Sequence, residues 1–221
     1  MSTLKRIAAK LPAPVRDDLK RWHFRRQLKA GTFIADEPEI AAISQIVRPG
    51  DVVIDVGANV GAYALHLSKC VGPKGRVFCF EPMLETFSHL CAVVNHARAY
   101  NITLLNVAAS DAHGFAMMDL PNYEAGHSNY YRAAISDGGQ YRVLCTPIDS
   151  FTWPTVRLIK VDAEGHDLNV LKGAAKLLER DRPYLVVEGS LKSELAVWIA
   201  AQGYDLTQEE GSPNILARPR G

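Results

Sequence analysis

The run Asp51-Val-Val-Ile-Asp-Val-Gly-Ala-Asn-Val-Gly61 constrains the fold of this 221-residue chain more than any other segment. Val52, Val53, Ile54 and Val56 are β-branched and do not alternate with polar residues. That is the pattern of a strand covered on both faces, as in a parallel sheet. Gly57 then lets the backbone turn sharply and approach a ligand, and Gly61 lets the following helix pack closely. Strand, glycine turn and helix in that order make one unit of a doubly wound α/β sheet, which buries its faces only beside further units.

The chain supplies those units. Ile40, Ile43 and Val47 place a helix over 37–47, and another is expected from Val60 to Lys69. Arg76–Phe80, Ile102–Leu105, Arg157–Val161 and Tyr184–Val187 read as further strands. Leu84, Phe87, Cys91 and Val94 mark a helix between the second and third strands. A single helix carrying Leu168, Leu171, Ala174 and Leu178 follows the fourth strand, and one from Leu191 to Gln202 follows the fifth. Tyr204–Thr207 and Asn214–Ala217 read as a closing hairpin, which puts one antiparallel strand in the sheet. From 112 to 148 the pattern loosens into an insertion of loops and hairpins, with strand-like pieces near 114–119 and 141–146. Tyr123, Tyr130, Tyr131 and Tyr141 crowd this insertion and suit either an aromatic substrate wall or packing.

Composition excludes several classes. With 48% apolar and 22% charged residues the chain is not disordered, and no run approaches the ~20 apolar residues of a membrane span. The first residues lack the apolar core of a secretion signal. Cys70, Cys79, Cys91 and Cys145 form no CxxC pair, so a reducing, cytoplasmic setting is expected. Charge is uneven: residues 1–31 hold nine Lys or Arg and two Asp (+7), and the remainder holds 16 basic and 22 acidic side chains (−6). Pro14, Val15, Leu19, Trp22 and Gly31 predict a helix there. The expected organisation is a basic N-terminal helical extension over 1–35 and one domain over 36–221. Such an arm suits nucleic acid, peripheral contact with anionic lipid, or the acidic body itself.

Two constellations carry chemistry. Asp55, Gly57 and Gly61 give DxGxxxG rather than the dinucleotide fingerprint GxGxxG, and no GxxxxGK[ST] phosphate loop is present. The second strand ends in Glu81-Pro82, 24 residues after Gly57, where an acid accepts hydrogen bonds from ribose hydroxyls. Asp55 beside the turn would repel a pyrophosphate, whereas two acids at adjacent strand tips suit a nucleoside bearing a cation and an amino acid. S-adenosylmethionine has that charge pattern. Asn106-Val107-Ala108 at the third strand's end could read an adenine edge. Lys160 and Asp162, two residues apart on the fourth strand, face one side of the sheet, either as a structural ion pair or as part of the crevice shared with the first strand. Asp149, Asp162, Glu164 and His166 form an oxygen-rich set that magnesium could use to acidify an alcohol, although the spacing matches no ligand template.

DVVIDVGANVGAYALHLS, the FEP that follows, and IKVDAEGHDLNVLKGA together resemble the FkbM family of S-adenosylmethionine-dependent methyltransferases, from about residue 36 to 206. PIDSF (147–151) and VVEGS (186–190) are weaker echoes. The resemblance implies a class I methyltransferase fold: a Rossmann-like, doubly wound, mostly parallel seven-stranded sheet with an antiparallel C-terminal hairpin strand. It implies methylation of a hydroxyl on a small-molecule acceptor: a sugar, glycan precursor or natural product. By position it assigns Asp55, Gly57, Ala58, Asn59 and Gly61 to the methionine end, Glu81-Pro82 to the ribose, and Asn106, Val107 and Ala108 to the adenine. Asp162 and Glu164 would face the transferred methyl. His166 departs from the family's usual acid-containing EGxE helix start, so the proton acceptor is open among Asp162, Glu164 and His166, with His127 of the insertion as an outsider. The competing readings are a nucleic-acid methyltransferase or binder using the basic arm, and a nicotinamide-dependent oxidoreductase. His66, His89, His96 and Cys79 fall on regular elements and read as packing or surface residues.

Overall fold

The computed structural model of the chain describes residues 12–119, 122–123, 127–128, 134–135 and 138–221. Helix α1 (Ala13–Ala30) has a proline in its first turn and ends on Gly31 at φ 69°, as the Pro14 and Gly31 signals predict. Helix α2 (Ile40–Ile46) leads into β1 (Val52–Val56), which is buried along its whole length. Then come α3 (Ala62–Val71), β2 (Arg76–Phe80), α4 (Leu84–Ala97) and β3 (Ile102–Leu105). β4 (Ala108–Ala109) follows, and the insertion then holds β5 (Gly114–Asp119), β6 (Asn122–Tyr123), β7 (His127–Ser128), β8 (Ala134–Ile135) and β9 (Tyr141–Thr146). After it run β10 (Val156–Val161), α5 (Asp167–Lys172), α6 (Ala175–Asp181), β11 (Tyr184–Glu188), α7 (Glu194–Ala201), β12 (Tyr204–Thr207) and β13 (Asn214–Pro219).

The main sheet has seven strands in the order β12-β13-β11-β10-β1-β2-β3. β1 lies between β10 and β2, parallel to both, and β13 pairs antiparallel with β11 and β12. The chain order reverses between β1 and β10, so the loops after these two strands border one crevice at the carboxyl rim. Ile54, Phe80, Ile159 and Leu171 belong to the core on one face, with Trp153 donating from Nε1 to the Ile148 carbonyl at 2.7 Å. Ile43, Val53, Leu67 and Leu90 belong to the core on the other. Each such aliphatic side chain contributes roughly 1.5–3 kcal/mol on burial.

Two differences from the sequence reading have physical causes. The expected single helix after the fourth strand is two, α5 and α6, with Gly173 between them. A Cβ at 173 would lie 1.8 Å from the Ser110 carbonyl oxygen, so the break follows a backbone-to-backbone approach of the segment just after β4. The described strands of the insertion do not form separate hairpins alone: β5, β8 and β9 join β4 in a second sheet of order β4-β9-β5-β8, in which the pieces near 114–119 and 141–146, β5 and β9, pair antiparallel at the centre. Met118, Val143 and Cys145 seat it on Met83 and Ala108, which brings it against the main sheet's rim. Tyr130 and Tyr131 lie outside the described residues; Tyr141 opens β9. His66 bonds Ser44 Oγ at 3.0 Å, His89 is buried, His96 is exposed, and Cys79 is buried in β2, all away from the rim crevice.

Candidate active site

The loop after β1 is pinned from two sides. Gly57 N and Ala58 N both donate to the Phe80 carbonyl at 3.0 Å, and Asp162 N donates to the Val56 carbonyl at 3.1 Å. Gly57 has φ 72°, and a Cβ there would stand 1.9 Å from the Asp162 carbonyl oxygen. The glycine is therefore required by the neighbouring strand, before any ligand is considered. Asn59 takes φ 52°, a conformation asparagine tolerates, and its Oδ1 accepts from Val60 N at 2.8 Å. Gly61 meets the expectation of close packing, because a Cβ there would lie 2.7 Å from Leu90 Cδ1 on α4.

Glu81, at the tip of β2, is 6% exposed. Its Oε2 accepts from Asn59 N and its Oε1 from Met83 N, each at 3.0 Å. Burial pushes its pKa up to about 7 despite those two bonds. Each carboxylate oxygen retains capacity for another donor, so the group is oriented in advance for a pair of hydroxyls. Asn106 supports it from behind, donating from Nδ2 to the Glu81 and Pro82 carbonyls at 2.9 and 3.0 Å.

Lys160 organises the other side. Its Nζ lies 3.0 Å from Asp162 Oδ2, 3.8 Å from Asp55 Oδ1 and 3.4 Å from the Gly57 carbonyl, under the Tyr63 ring at 5.0 Å. Burial alone would lower the Lys160 pKa, but Asp55 and Asp162 outweigh it and raise the value. Asp55 is fully enclosed, neither oxygen has a hydrogen-bond donor, and burial lifts its pKa to about 6 against the pull of Lys160. Lys160 and Asp162 thus form the ion pair, and of the two Asp162 alone lines the cleft. Behind Tyr63, its hydroxyl donates to Glu39 Oε1 at 2.5 Å, and Ser212 and Asn214 donate to the same carboxylate. Burial would raise the Glu39 pKa, but these bonds hold it below the ordinary value.

The turn after β10 puts Glu164 at φ 49° and Gly165 at φ 91°. Asp167 holds it, accepting from Ala163 N at 2.9 Å and Gly165 N at 3.1 Å. His166 Nε2 meets Ser110 Oγ at 2.9 Å, and Ser110 donates to Asp111 Oδ1 at 3.1 Å. That direction makes Nε2 the donor and leaves Nδ1 as the ring's acceptor. Burial lowers the His166 pKa, so the ring is neutral near pH 7. Across the rim, the β10–β11 register runs Lys160 to Val186 and Val161 to Val187, which sets Asp162 beside Glu188. Burial, followed by the charge of Asp162 and its hydrogen bond, raises the Glu188 pKa to about 7.

A cleft of about 620 Å³, counted to its open mouth, gathers Gly57, Asn59, Glu81, Pro82, Ala108, Asp162, Glu164 and His166 from the expected set. Asp55, Ala58 and Gly61 stand behind its wall, and Asn106 and Val107 are outside the lining. Met118 and Ile135 of the small sheet, with Phe80 and Met83, supply an apolar side that the sequence reading did not assign. Glu188 was also missed; a third acid at a strand tip, followed by glycine, was the available signal. Of His127 only the backbone, in β7, is described.

The four residues that magnesium could use are not brought together. Asp149 caps α6 instead, accepting from Lys176 N at 2.8 Å and Leu177 N at 3.0 Å. Among the described residues no group of three or more His, Cys, Asp or Glu is placed to hold a metal. Among the described residues the lining contains acids and no Lys or Arg. This donor set fits a sulfonium nucleoside and offers a dinucleotide's pyrophosphate no counter-charge, which weighs against the oxidoreductase reading.

Comparison with known proteins agrees. The Methyltransferase FkbM domain matches residues 55–206. Hexuronic acid methyltransferase AglP of Haloferax volcanii is 30% identical over 148 residues, covering 65% of this chain and 58% of AglP. The crystal structure of methyltransferase FkbM from Methylobacillus flagellatus aligns at TM-score 0.55 and 17% identity over 92% of this chain and 59% of that one. Fibrillarin from Aeropyrum pernix, solved with natively bound S-adenosyl-L-methionine, aligns at TM-score 0.50 and 16% identity over 80% of this chain and 71% of its own. The chain thus spans about three fifths of AglP and of the Methylobacillus protein. The two structural likenesses show the class I methyltransferase fold, and the domain match shows that the chain belongs to the FkbM methyltransferase family.

Proposed function

We propose that the chain methylates a hydroxyl of a sugar, glycan precursor or related small molecule, with S-adenosylmethionine as donor. One observation carries the reading: Glu81 and Asp162, carboxylates at the tips of the two strands that flank β1, stand on either side of the Gly57 turn in a cleft whose described lining holds no Lys or Arg. The family and a relative named for hexuronic acid support the acceptor class.

Glu81 would take the ribose hydroxyls, the Gly57–Asn59 turn the methionine end, and Ala108 with the apolar wall the adenine. S-adenosylmethionine, when bound, supplies an electrophilic methyl carbon on a cationic sulfur. The residues of the chain then orient the acceptor and share its proton. Orientation alone contributes ~7–11 kcal/mol, and a positioned base adds about 10²–10⁴-fold. Asp162, fixed by Lys160, meets the hydroxyl proton at the rim. Glu188 beside it, with a pKa of about 7, is the proton's store. Neutral His166 and Glu164 complete the wall around the acceptor.

Mass spectrometry across a panel of sugars, glycolipid precursors and polyketides tests the acceptor: a gain of one CH₂ on a hydroxyl is expected, and methyl recovered only on nucleic acid would refute it. Glu81→Ala tests the donor site by calorimetry. Loss of charge-assisted bonds of ~1.5–3 kcal/mol should weaken S-adenosylhomocysteine binding about ten- to a hundredfold. Hydroxyl donors favour ionised Glu81, so wild-type affinity should fall as pH drops below 7, by up to about tenfold per unit. The variant should lack that dependence; unchanged affinity in Glu81→Ala would mean that the ribose site is misplaced.

A further inference from the structure

Helix α1 has two faces with different tasks. Asp17, Arg21 and Phe24 hold it to α4. Asp17 Oδ1 lies 3.7 Å from His89 Nε2, Arg21 Nη2 donates to Ser88 Oγ at 2.8 Å, and the Phe24 ring meets His89 edge-on at 5.7 Å. The opposite face carries Val15, Leu19 and Trp22, spaced i, i+4, i+7 and 44%, 45% and 58% exposed. Scattered exposed apolar residues need no explanation, but a stripe along one helix face needs a cover. The stripe continues into Arg26, whose guanidinium lies 5.7 Å from the Trp22 ring, and Lys29, with Arg25 exposed alongside. Beyond the helix end the cations continue, because the groove there is lined by Lys29, Lys69, Arg76 and Arg98 and, among the described residues, by no carboxylate.

We infer that the outer face of α1 docks on an anionic membrane surface, with Val15, Leu19 and Trp22 in the interfacial layer and Arg25, Arg26 and Lys29 against lipid phosphates. An apolar stripe beside cations is the chemistry of an in-plane interfacial helix, and tryptophan prefers that depth. The excess of seven positive charges in residues 1–31 supplies the attraction. A nucleic acid would use the cations and leave Val15 and Leu19 bare, so it fits less well. No described helix is long and apolar enough to cross a membrane, which leaves contact from one side. Lys20 faces Glu85 and Phe24 faces His89, so α1 runs parallel to α4. The docking face therefore begins at the end of α4 that follows Pro82 and Met83, in the wall of the cleft.

Sedimentation with phosphatidylcholine vesicles, with and without phosphatidylglycerol, tests this on the full chain and needs neither donor nor acceptor. Its outcome is therefore separate from that of the methyl-transfer reading. The protein should pellet with the mixed vesicles, dissociate at high salt, and show a blue shift in emission, because Trp22 is exposed whereas Trp153 is buried and Trp198 half-buried. Leu19→Ser combined with Trp22→Ser should lower partition at least about tenfold at unchanged melting temperature. Arg25→Glu with Arg26→Glu should remove the preference for anionic lipid. Equal recovery with neutral vesicles, full binding by the Leu19/Trp22 variant, or retention on RNA with none on vesicles would overturn the inference.

Discussion

Alanine at position 57 is expected to cost the fold at least ~4–5 kcal/mol, the range reserved for exceptional substitutions and a large share of the ~5–15 kcal/mol that stabilises a domain. The added Cβ would sit 1.9 Å from the Asp162 carbonyl oxygen and 2.9 Å from its carbon, both backbone atoms. Neither side can retreat. Asp162 N is bonded to the Val56 carbonyl, and Gly57 N and Ala58 N are bonded to Phe80 on the opposite strand. The φ of 72° adds strain for any L side chain. Gly165 is the control: φ is 91°, but a Cβ there meets nothing within 4 Å. Gly165→Ala should cost only the ~1–2 kcal/mol of the backbone conformation. Denaturant midpoints read by tryptophan fluorescence compare the two. Equal midpoints for Gly57→Ala and Gly165→Ala would show that the rim yields and that the glycine serves a ligand alone.

That pair of glycines shows what the sequence could carry and what it could not. The β-branched run, the turn and the acid 24 residues on were legible because each depends on local pattern or on strand arithmetic. Lys160 and Asp162 were legible as one face because strand side chains alternate with period two. The reason for Gly57 was not, because the atom it avoids belongs to Asp162, on a strand that becomes a neighbour only after folding. The same holds for Gly173, whose approach to Ser110 splits a helix that periodicity alone makes continuous. Asn106 and Asp149 share one feature that the sequence does not carry: both side chains bond backbone groups near the rim, and no sequence pattern separates that use from ligand contact. Glu188 matters through its position beside Asp162, which is a matter of register.

Asp162→Asn is expected to lower kcat by about 10²–10⁴-fold while leaving S-adenosylhomocysteine affinity nearly unchanged. The amide keeps the size of the carboxylate and can still accept from Lys160, so the geometry around Gly57 is preserved; what it cannot do is take a proton. Glu188→Gln separates a proton store from a spectator. With Glu188 titrating at about 7, wild-type kcat at saturating donor and acceptor should climb as pH rises through that value, since the ionised pair is the form that receives the hydroxyl proton. In Glu188→Gln the limb near 7 should disappear, leaving a profile flat across neutrality. Saturation matters because Glu81 also titrates near 7 and acts on donor binding, so its ionisation belongs to kcat/KM and drops out of kcat. A Glu188→Gln enzyme that keeps the limb would assign it to another group. An Asp162→Asn enzyme that loses donor affinity and keeps kcat would move Asp162 from the acceptor's proton to the methionine end of the donor.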